Sequence, residues 1–534
     1  MGQVHTVPTN SSVDILDLPT ELICSVLRLL HYKDILRCKQ TCKYFMNVVN
    51  SDESLRYLIK LGLNGLIDSH EPHHSMTIND RIRLLDKYQG AWNSSAFDIC
   101  ENLSQGSKKR KYLPRKQVHQ WNAALYISDD LTYTVHVVQL PSKLRGITER
   151  TIISHKLDFC VRACAMDISH NVLALAELLD DEIRVHLRTL YTCEVDPKLP
   201  ISEFTCPVLA SPCELELCSV YLVLWTHEGR EEHPTALRVW NWELGTLILE
   251  IHDHNICFSF LTDHHIILSG GNILGLHVVD LRSLTGEERN LATLNYTYCL
   301  LFPKLKDGLY ETELMINSKP EYSPIPNTKP ITSPSPLQRV PFYTDPSHRI
   351  IIVTVYSLKH DGHEYSPKMF VIPSDTFLSY LDEAQHIPSK RTISWEQWGP
   401  QGTRFYSSMY TDAGEVYYGY RAHYGLRLVE YGDEKSNPCI DILDFNQRKR
   451  EHGAAAQKYD GTTLVTYPSV LDTGRSPFAE VVTTHLPYRH RKVFLDTPFD
   501  NMVRPIMYMT EDALFFEFSN LGRRSEGKHY ALYV

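Results

Sequence analysis

Short apolar–polar alternating runs return along most of the chain at a spacing that few architectures can use. They centre on Val138, Val185, Val239, Val279, Val371, Ile442, Phe494 and Leu532. Five of the seven intervals fall between 38 and 54 residues, and the other two are 92 and 71. Alternation at a period of two marks a half-buried strand, so each run reads as one strand of a repeating unit. No crossover helices separate the runs, which makes the body antiparallel and all-β, and such a body must protect its edge strands. A recurrence of about 40–50 residues is that of four-stranded units set radially, the plan of a β-propeller. Seven or eight blades are expected, with a large β-sandwich or an unclosed β body as the competing reading. The final run, "KHYALYV", predicts a C-terminal strand that closes the ring against the first blade.

The clearest copy is "TALRVWNWELGTLILEIHDHN", residues 235–255, which reads as strand, turn at Gly245, and strand. It resembles the end of a WD repeat, with Trp240-Asn241 in place of Trp-Asp. The two long intervals require insertions or a missed copy. One insertion is visible at residues 319–341, which hold seven of the 29 prolines and are expected to form a long exposed loop. Its Ser-Pro content would permit phosphorylation.

The front of the chain reads differently. In "LDLPTELICSVLRLLHYKDILRCKQTCKYFMNVVNSDESLRYLI", residues 16–59, Leu18, Leu22, Ile23, Val26, Leu27 and Leu30 recur at helical spacing. Pro19 suits a first helical turn. Asp34 is expected to cap a second helix carrying Ile35 and Cys38; a third holds Phe45, Val48 and Val49, and a fourth begins near Asp52. Four short helices make too little core to stand alone.

Leu18-Pro19-x-Glu21-Leu22, Val26-Leu27, Leu30, Asp34-Ile35, Cys42-Lys43-x-Phe45 and Leu55 together resemble an F-box. Ile35 stands where Leu is commoner in that family, and Tyr57 where Trp is often nearby. The resemblance implies a docking surface for the small adaptor subunit of SCF-type ubiquitin ligases. Carried over by position, the adaptor-binding residues are Leu18, Pro19, Leu22, Leu27, Leu30, Ile35, Phe45 and Leu55. Some of these must instead build the internal core, and spacing does not divide the two sets. A flexible tail (1–13), an F-box (14–60), a helical connector (61–92) and a β-propeller-like domain (93–534) are the expected units. An F-box ahead of a poorly repeating β body resembles fungal F-box substrate receptors.

In the connector, Thr77 and Asp80 have capping-box spacing, Ile82 and Leu85 present an apolar edge, and Gly90 is expected to end the helix. "HEPHH", residues 70–74, matches H-E-x-x-H in letters, but Pro72 and the polar surroundings favour a solvated loop over a zinc helix. "KKRKYLPRK", residues 108–116, is either an import signal or a solvated loop. Gly2 and Thr6 fit the myristoylation pattern, yet no polybasic patch adjoins them, so no stable membrane association is expected.

No nucleophile elbow, phosphate loop or dinucleotide fingerprint occurs, so no catalytic residue, cofactor or metal is expected. His252-Asp253-His254 and His264-His265 read as turn residues that tie strands together, and Asp180-Asp181-Glu182 as a tight turn. Tyr417, Tyr418, Tyr420 and Tyr424 with Arg421 and Arg427 form a candidate recognition surface, with ordinary strand packing as the alternative. A formal net charge of −10 gives nucleic acid or an anionic membrane no electrostatic support, which leaves proteins as partners. Thirteen cysteines without a C-x-x-C pair fit reduced thiols in the cytoplasm or nucleus. There is no secretory signal core and no stretch of about 18 apolar residues.

The expected function is therefore that of a non-catalytic substrate receptor in an SCF-type cullin-RING ligase. The F-box would bind the adaptor, and through it cullin and RING subunits, while the β body recruits a client protein. Two other readings stay open: an F-box scaffold in a complex that is not a ligase, and an enzyme whose site is assembled from distant residues.

Overall fold

In the computed structural model the chain is described for residues 15–69, 76–94 and most of 99–533, the longest breaks being 103–117, 323–336, 407–420, 449–460, 496–504 and 519–527. A helical front is followed by a large all-β body. Among the described residues the body holds seven antiparallel units of four strands in chain order, spanning 118–156, 161–207, 213–253, 257–301, 309–406, 421–494 and 506–533; here the seventh unit counts three strands of its own. In every unit consecutive strands pair with their neighbours, which is the topology of propeller blades.

Seven of the eight alternating runs fall on one equivalent strand, the third of each sheet. Val138 lies in Thr134–Gln139, Val185 in Glu182–Thr189, Val239 in Thr235–Asn241 and Val279 in Ile273–Asp280. Val371 lies in Glu364–Pro373, Ile442 in Asn437–Asp444 and Leu532 in Lys528–Tyr533. In the first two sheets burial alternates along part of the third strand, whereas the second strand Val172–Leu178 is buried almost throughout. Phe494 is the exception: it ends Tyr488–Phe494, the fourth strand of the sixth sheet, and is exposed.

The seventh sheet takes its fourth strand from the front of the body. Ile99–Asn102 runs antiparallel to Lys528–Tyr533, pairing Ile99 with Tyr533 and Asn102 with Tyr530. The C-terminal strand therefore does meet the start of the body, but within the last sheet instead of joining the first blade. Six of the seams between successive sheets are filled by separate apolar clusters. Between the seventh and first sheets sits a buried ion cluster. Arg145, in the connection after the third strand of the first sheet, reaches Glu511 (3.0 Å) and Asp512 (Nε–Oδ2 3.0 Å) in the first turn of the seventh.

The long intervals have structural causes. Residues 319–341 enter between the first two strands of the fifth sheet, and much of that stretch lies outside the described residues. Its far end is not exposed: Leu337, Val340 and Phe342 are buried, and Phe342–Thr344 pairs with Leu66–Asp68 of the connector. After the third strand of the fifth sheet come two helices, Ser374–Ala384 and Trp395–Gly402, so the body is not free of helices. Between them, Arg391–Ile393 returns to run parallel with Tyr298–Leu301 in the fourth sheet. The sixth sheet likewise sends out an excursion that adds Thr462–Val465 to its edge and a hairpin, Ser469–Leu471 with Val482–Thr484. Among the described residues no helix is long and apolar enough to cross a membrane.

Candidate adaptor-docking surface

Four helices form the front unit: α1 (Thr20–Leu27), α2 (Tyr32–Thr41), α3 (Lys43–Ser51) and α4 (Glu53–Leu63). Pro19 is the residue before α1, and its carbonyl accepts from the amides of Leu22 and Ile23. Asp34 does not cap α2: the helix starts at Tyr32, so Asp34 lies in its first turn and pairs with Arg37 at 2.6 Å. Asp52 does cap α4, accepting from the Leu55 amide at 2.9 Å, and the same carboxylate meets Arg28 at 2.6 Å. Burial works against ionising Asp52, but the Leu55 amide and Arg28 outweigh it and hold its carboxyl below the usual range. The turn after α1 is thus tied to the start of α4.

The structure divides the residues that spacing left together. Leu27, Ile35 and Leu55 are buried with Ile23, Cys24, Val48 and Val49 in the core of the helical unit. Leu18 and Phe45 are half-buried against that core. Pro19, Leu22 and Leu30 face solvent. Leu22 (52% exposed) and Val26 stand at i and i+4 on the outer side of α1, and Leu29 (87% exposed), in the turn just after the helix, continues the bare apolar ridge. Ile15 and Leu16 extend the exposed apolar surface before α1, and Tyr44 and Met46 extend it on α3; the Tyr44 hydroxyl lies 3.4 Å from that of Thr20. Leu29, Ile15, Leu16, Tyr44 and Met46 had no place in the sequence reading. The available signal was that α1 is apolar on both sides, which one small core cannot use.

The helical unit is anchored to the β body. Tyr57 of α4 is buried, with its hydroxyl within hydrogen-bond distance of Asp68 Oδ1 (3.2 Å) and the Pro341 carbonyl (3.3 Å). Burial pushes the Tyr57 phenol upward, and the nearby Asp68 carboxylate adds to it, so it stays a neutral donor. Arg81 pairs with Asp68 at 3.0 Å. From the sixth sheet, Asn446 Nδ2 donates to the Leu63 carbonyl and Arg448 Nη1 to that of Gly62, each at 2.9 Å. The Arg448 guanidinium also lies 5.4 Å over the ring of Tyr32.

A fifth helix, α5 (Ile78–Ser94), completes the junction. Its start is capped as expected: the Thr77 amide donates to Asp80 Oδ2 and the Asp80 amide to Thr77 Oγ1, each at 3.2 Å. It does not stop at Gly90 but continues for another turn, because Trp92 is buried and carries Arg427 4.6 Å over its ring. Leu85, Tyr88 and Trp92 share one apolar cluster with Tyr57 and Leu61 and with residues of the sixth and seventh sheets. The Tyr88 hydroxyl donates to the Glu511 carbonyl at 2.8 Å.

Other candidates resolve less fully. "HEPHH", the basic run, Gly2 and Thr6 all lie outside the described residues, as do Tyr417, Tyr418 and Tyr420. The described members of the aromatic stretch are structural: Tyr424 is buried, Arg421 pairs with Glu430 at 2.9 Å, and Arg427 stacks on Trp92. Asp180-Asp181-Glu182 is the expected turn, closed by the Leu179 amide on the Glu182 carbonyl. His252 and Asp253 belong to strand Thr246–Asp253 instead of a turn, and His252 meets Glu250 at 3.0 Å.

A repeated turn went unseen in the sequence. Asp167-Ile168-Ser169-His170 and Asp345-Pro346-Ser347-His348 both precede the second strand of a sheet. In each the Asp carboxylate accepts from the Ser amide (2.8 and 2.9 Å) and faces the His ring. The corresponding turn of the fourth sheet reads Thr262-Asp263-His264-His265. His265 is pushed down to about 4, chiefly by burial, and its ring is neutral at physiological pH.

Comparison with known proteins agrees with the helical front. Residues 15–59 match the F-box-like family model. No curated protein matches the chain. Among solved structures, the β-propeller domain of Myceliophteria thermophila Cps50 (Swd1) is 11% identical and aligns over 82% of this chain and all of that one, with a TM-score of 0.35. BamB from Moraxella catarrhalis is 8% identical over 82% and 98% of the two chains, with a TM-score of 0.33. The WD40 domain of Toxoplasma gondii coronin is 9% identical over 75% and 88%, with a TM-score of 0.31. Scores this low carry no weight; the propeller topology rests on the strand pairing itself.

Proposed function

With an F-box-like unit at residues 15–59 and a propeller body behind it, we propose that the chain is the substrate-receptor subunit of an SCF-type cullin-RING ubiquitin ligase. The observation that carries this is the apolar ridge of Leu22, Val26 and Leu29, left exposed outside a core that Ile23, Leu27, Ile35 and Leu55 already fill. Fully covering a Leu or Val side chain contributes about 1.5–3 kcal/mol, so the ridge supplies part of the apolar driving force for a protein partner. We assign adaptor contact to Pro19, Leu22, Val26, Leu29 and Leu30 with the edges of Leu18 and Phe45, and a structural role to Leu27, Ile35 and Leu55.

The chain then needs no catalytic group. It raises the local concentration of a client bound to the β body and presents it at a set angle to the ubiquitin-carrying enzyme. The anchoring of α4 and α5 to the sixth and seventh sheets supports such fixed presentation. Its place of action is the cytoplasm, and residues 108–116 are the segment that would give it nuclear access.

The test is affinity capture of the full chain against Leu22→Arg/Leu29→Arg, with quantification of adaptor, cullin and RING subunits. Loss of all three from the variant is the expected result. Equal retention of the adaptor sinks the docking assignment. Capture of adaptor without cullin by the unaltered chain replaces the ligase reading with the scaffold one.

A further inference from the structure

The first turn of the fourth sheet differs from its two sister turns in a way that leaves ligand atoms unspent. In the turns of the second and fifth sheets the single histidine is engaged by carboxylates. His170 Nδ1 meets Asp167 at 2.8 Å, and His348 meets Asp375 through Nδ1 (2.7 Å) and Asp345 through Nε2 (3.4 Å). The fourth sheet has two adjacent histidines instead. Asp263 holds His264 Nδ1, and Thr262 Oγ1 lies 2.9 Å from His265 Nδ1. Neither Nε2 has a hydrogen-bond partner among the described residues, so Nε2 is the atom each ring has to offer. Asp280, at the end of the third strand of the same sheet, brings its carboxylate to the same place. One donor atom from each of His264, His265 and Asp280 lies within 4.8 Å of the others, and no other such trio occurs among the described residues.

We propose that His264, His265 and Asp280 bind a divalent transition-metal ion of the zinc class, with solvent completing the coordination. Zinc–nitrogen bonds are about 2.0–2.1 Å, so two donors on one ion stand at most about 4.2 Å apart. In a tetrahedral site the donors stand about 3.3 Å apart, so closure asks for movements of up to about 1.5 Å, taken up by rotation of side chains that are only partly buried. Two nitrogens and one carboxylate oxygen form a donor set that favours zinc, nickel or cobalt over magnesium or calcium.

The surroundings are those of a metal site's outer shell. A ligating imidazole ordinarily has its second nitrogen fixed by a carboxylate or other oxygen, as Asp263 and Thr262 do here. Asp280 is fixed by the Arg282 amide at 3.0 Å and by the Arg282 guanidinium at 2.8 Å. Arg282 takes up about all four of the carboxylate's lone-pair positions, so an ion at Asp280 would displace one of these bonds. Asp263 and Asp280 together outweigh the charge of Arg282, so a dication meets net negative charge.

The experiment uses the full chain, stripped with a chelator, its thiols alkylated so that exposed Cys42 and Cys160 do not compete, and titrated with Co2+ and then Zn2+. One equivalent of Co2+ should give visible d–d absorption that Zn2+ displaces, and Zn2+ should raise the melting temperature. His264→Ala should lower affinity at least tenfold, and Asp263→Asn by about 10–100-fold through loss of the outer-shell bond. His170→Ala, in the sister turn, should change nothing. If the partly buried His265→Ala does not fold, His264→Ala and Asp263→Asn carry the test. Absence of a saturable equivalent, or binding that survives both His264→Ala and Asp263→Asn, overturns the proposal. Neither result bears on the ligase reading, since no partner protein is present.

Discussion

Replacing Arg145 with methionine removes the only cation facing two buried carboxylates in the closing seam, within the described residues. Arg145, Glu511 and Asp512 are each almost wholly buried. The guanidinium also donates to the Phe342 carbonyl at 3.1 Å, and Glu511 further accepts from the Thr344 amide. Removing one partner of a buried ion pair destabilises by about 3–5 kcal/mol, because the other charge stays desolvated and unpaired. Here two acids are stranded, which places Arg145→Met at the upper end. Arg145→Met/Glu511→Gln/Asp512→Asn discards the charge altogether and should recover half or more of the loss. Hydrogen exchange reads the effect locally: amides of Ile506–Met509 and Ala513–Phe518 should open first. The pH dependence has a sign. Burial raises the Glu511 carboxyl above its ordinary value against the pull of Arg145. A raised carboxyl favours the fold below its unfolded value, and that contribution is lost as pH rises through the folded one. Without Arg145 the upward push grows, so the deficit of Arg145→Met should shrink as pH falls from 8 towards 5. A change within about 0.5 kcal/mol, typical of surface sites, or a triple variant worse than the single one, would refute the clamp.

Leu27→Ala should destabilise the helical unit by about 2–5 kcal/mol as a cavity mutation, whereas Leu22→Ala should leave its melting unchanged and weaken adaptor binding about tenfold; the two effects are separated by calorimetry and by titration with the adaptor. Gly62→Ala drives a methyl group into the Tyr32 ring and should loosen α2 from α4 by about 1–3 kcal/mol, seen as faster proteolysis within residues 15–69. The His170 imidazole is raised above its ordinary value by its bond to Asp167, against the effect of burial. Its stabilisation of that turn is therefore complete at acid pH and fades as pH rises through the raised value; an NMR titration should show the shift, and Asp167→Asn should abolish it.

How much of this was legible depends on where each residue sits. Third strands announce themselves where burial alternates, as around Val185, whereas a second strand such as Val172–Leu178 is buried almost throughout and reads as a plain apolar run. "HRKVFLDTP" passed for a repeat although it is a fourth strand: it lies between the third strand and the added Thr462–Val465 and is at most half-buried along its length. The sequence could not say that Ile99–Asn102 completes the last sheet, since a four-residue strand far from its partner leaves no periodic trace. Nor could it separate Leu22 from Leu27. Both lie on an eight-residue helix that is apolar on two sides, and only packing by Ile35, Val48 and Leu55 decides which side is inner. The Asp-x-Ser-His turns were legible in principle, but four residues recurring once are invisible until the strands that frame them are known.

Those turns also bear on why a small helical unit is joined to a large β body. The first turn of the fifth sheet, Asp345 to His348, lies beside the helical unit, with the Asp345 amide donating to the Gly65 carbonyl at 3.0 Å. The first turn of the seventh receives Tyr88 of α5, and residues just past the third strand of the sixth hold the end of α4. The helices therefore rest on first-to-second and third-to-fourth connections, which emerge together on one face of a propeller. The remaining connections emerge on the other face, and among the described residues they carry no helical unit. A four-helix unit too small to be stable alone gains a floor from the β body, while the apolar ridge on α1 is left uncovered. Stability uses one side of α1 and the proposed adaptor contact the other, which is why α1 can be apolar on two sides without being buried on both.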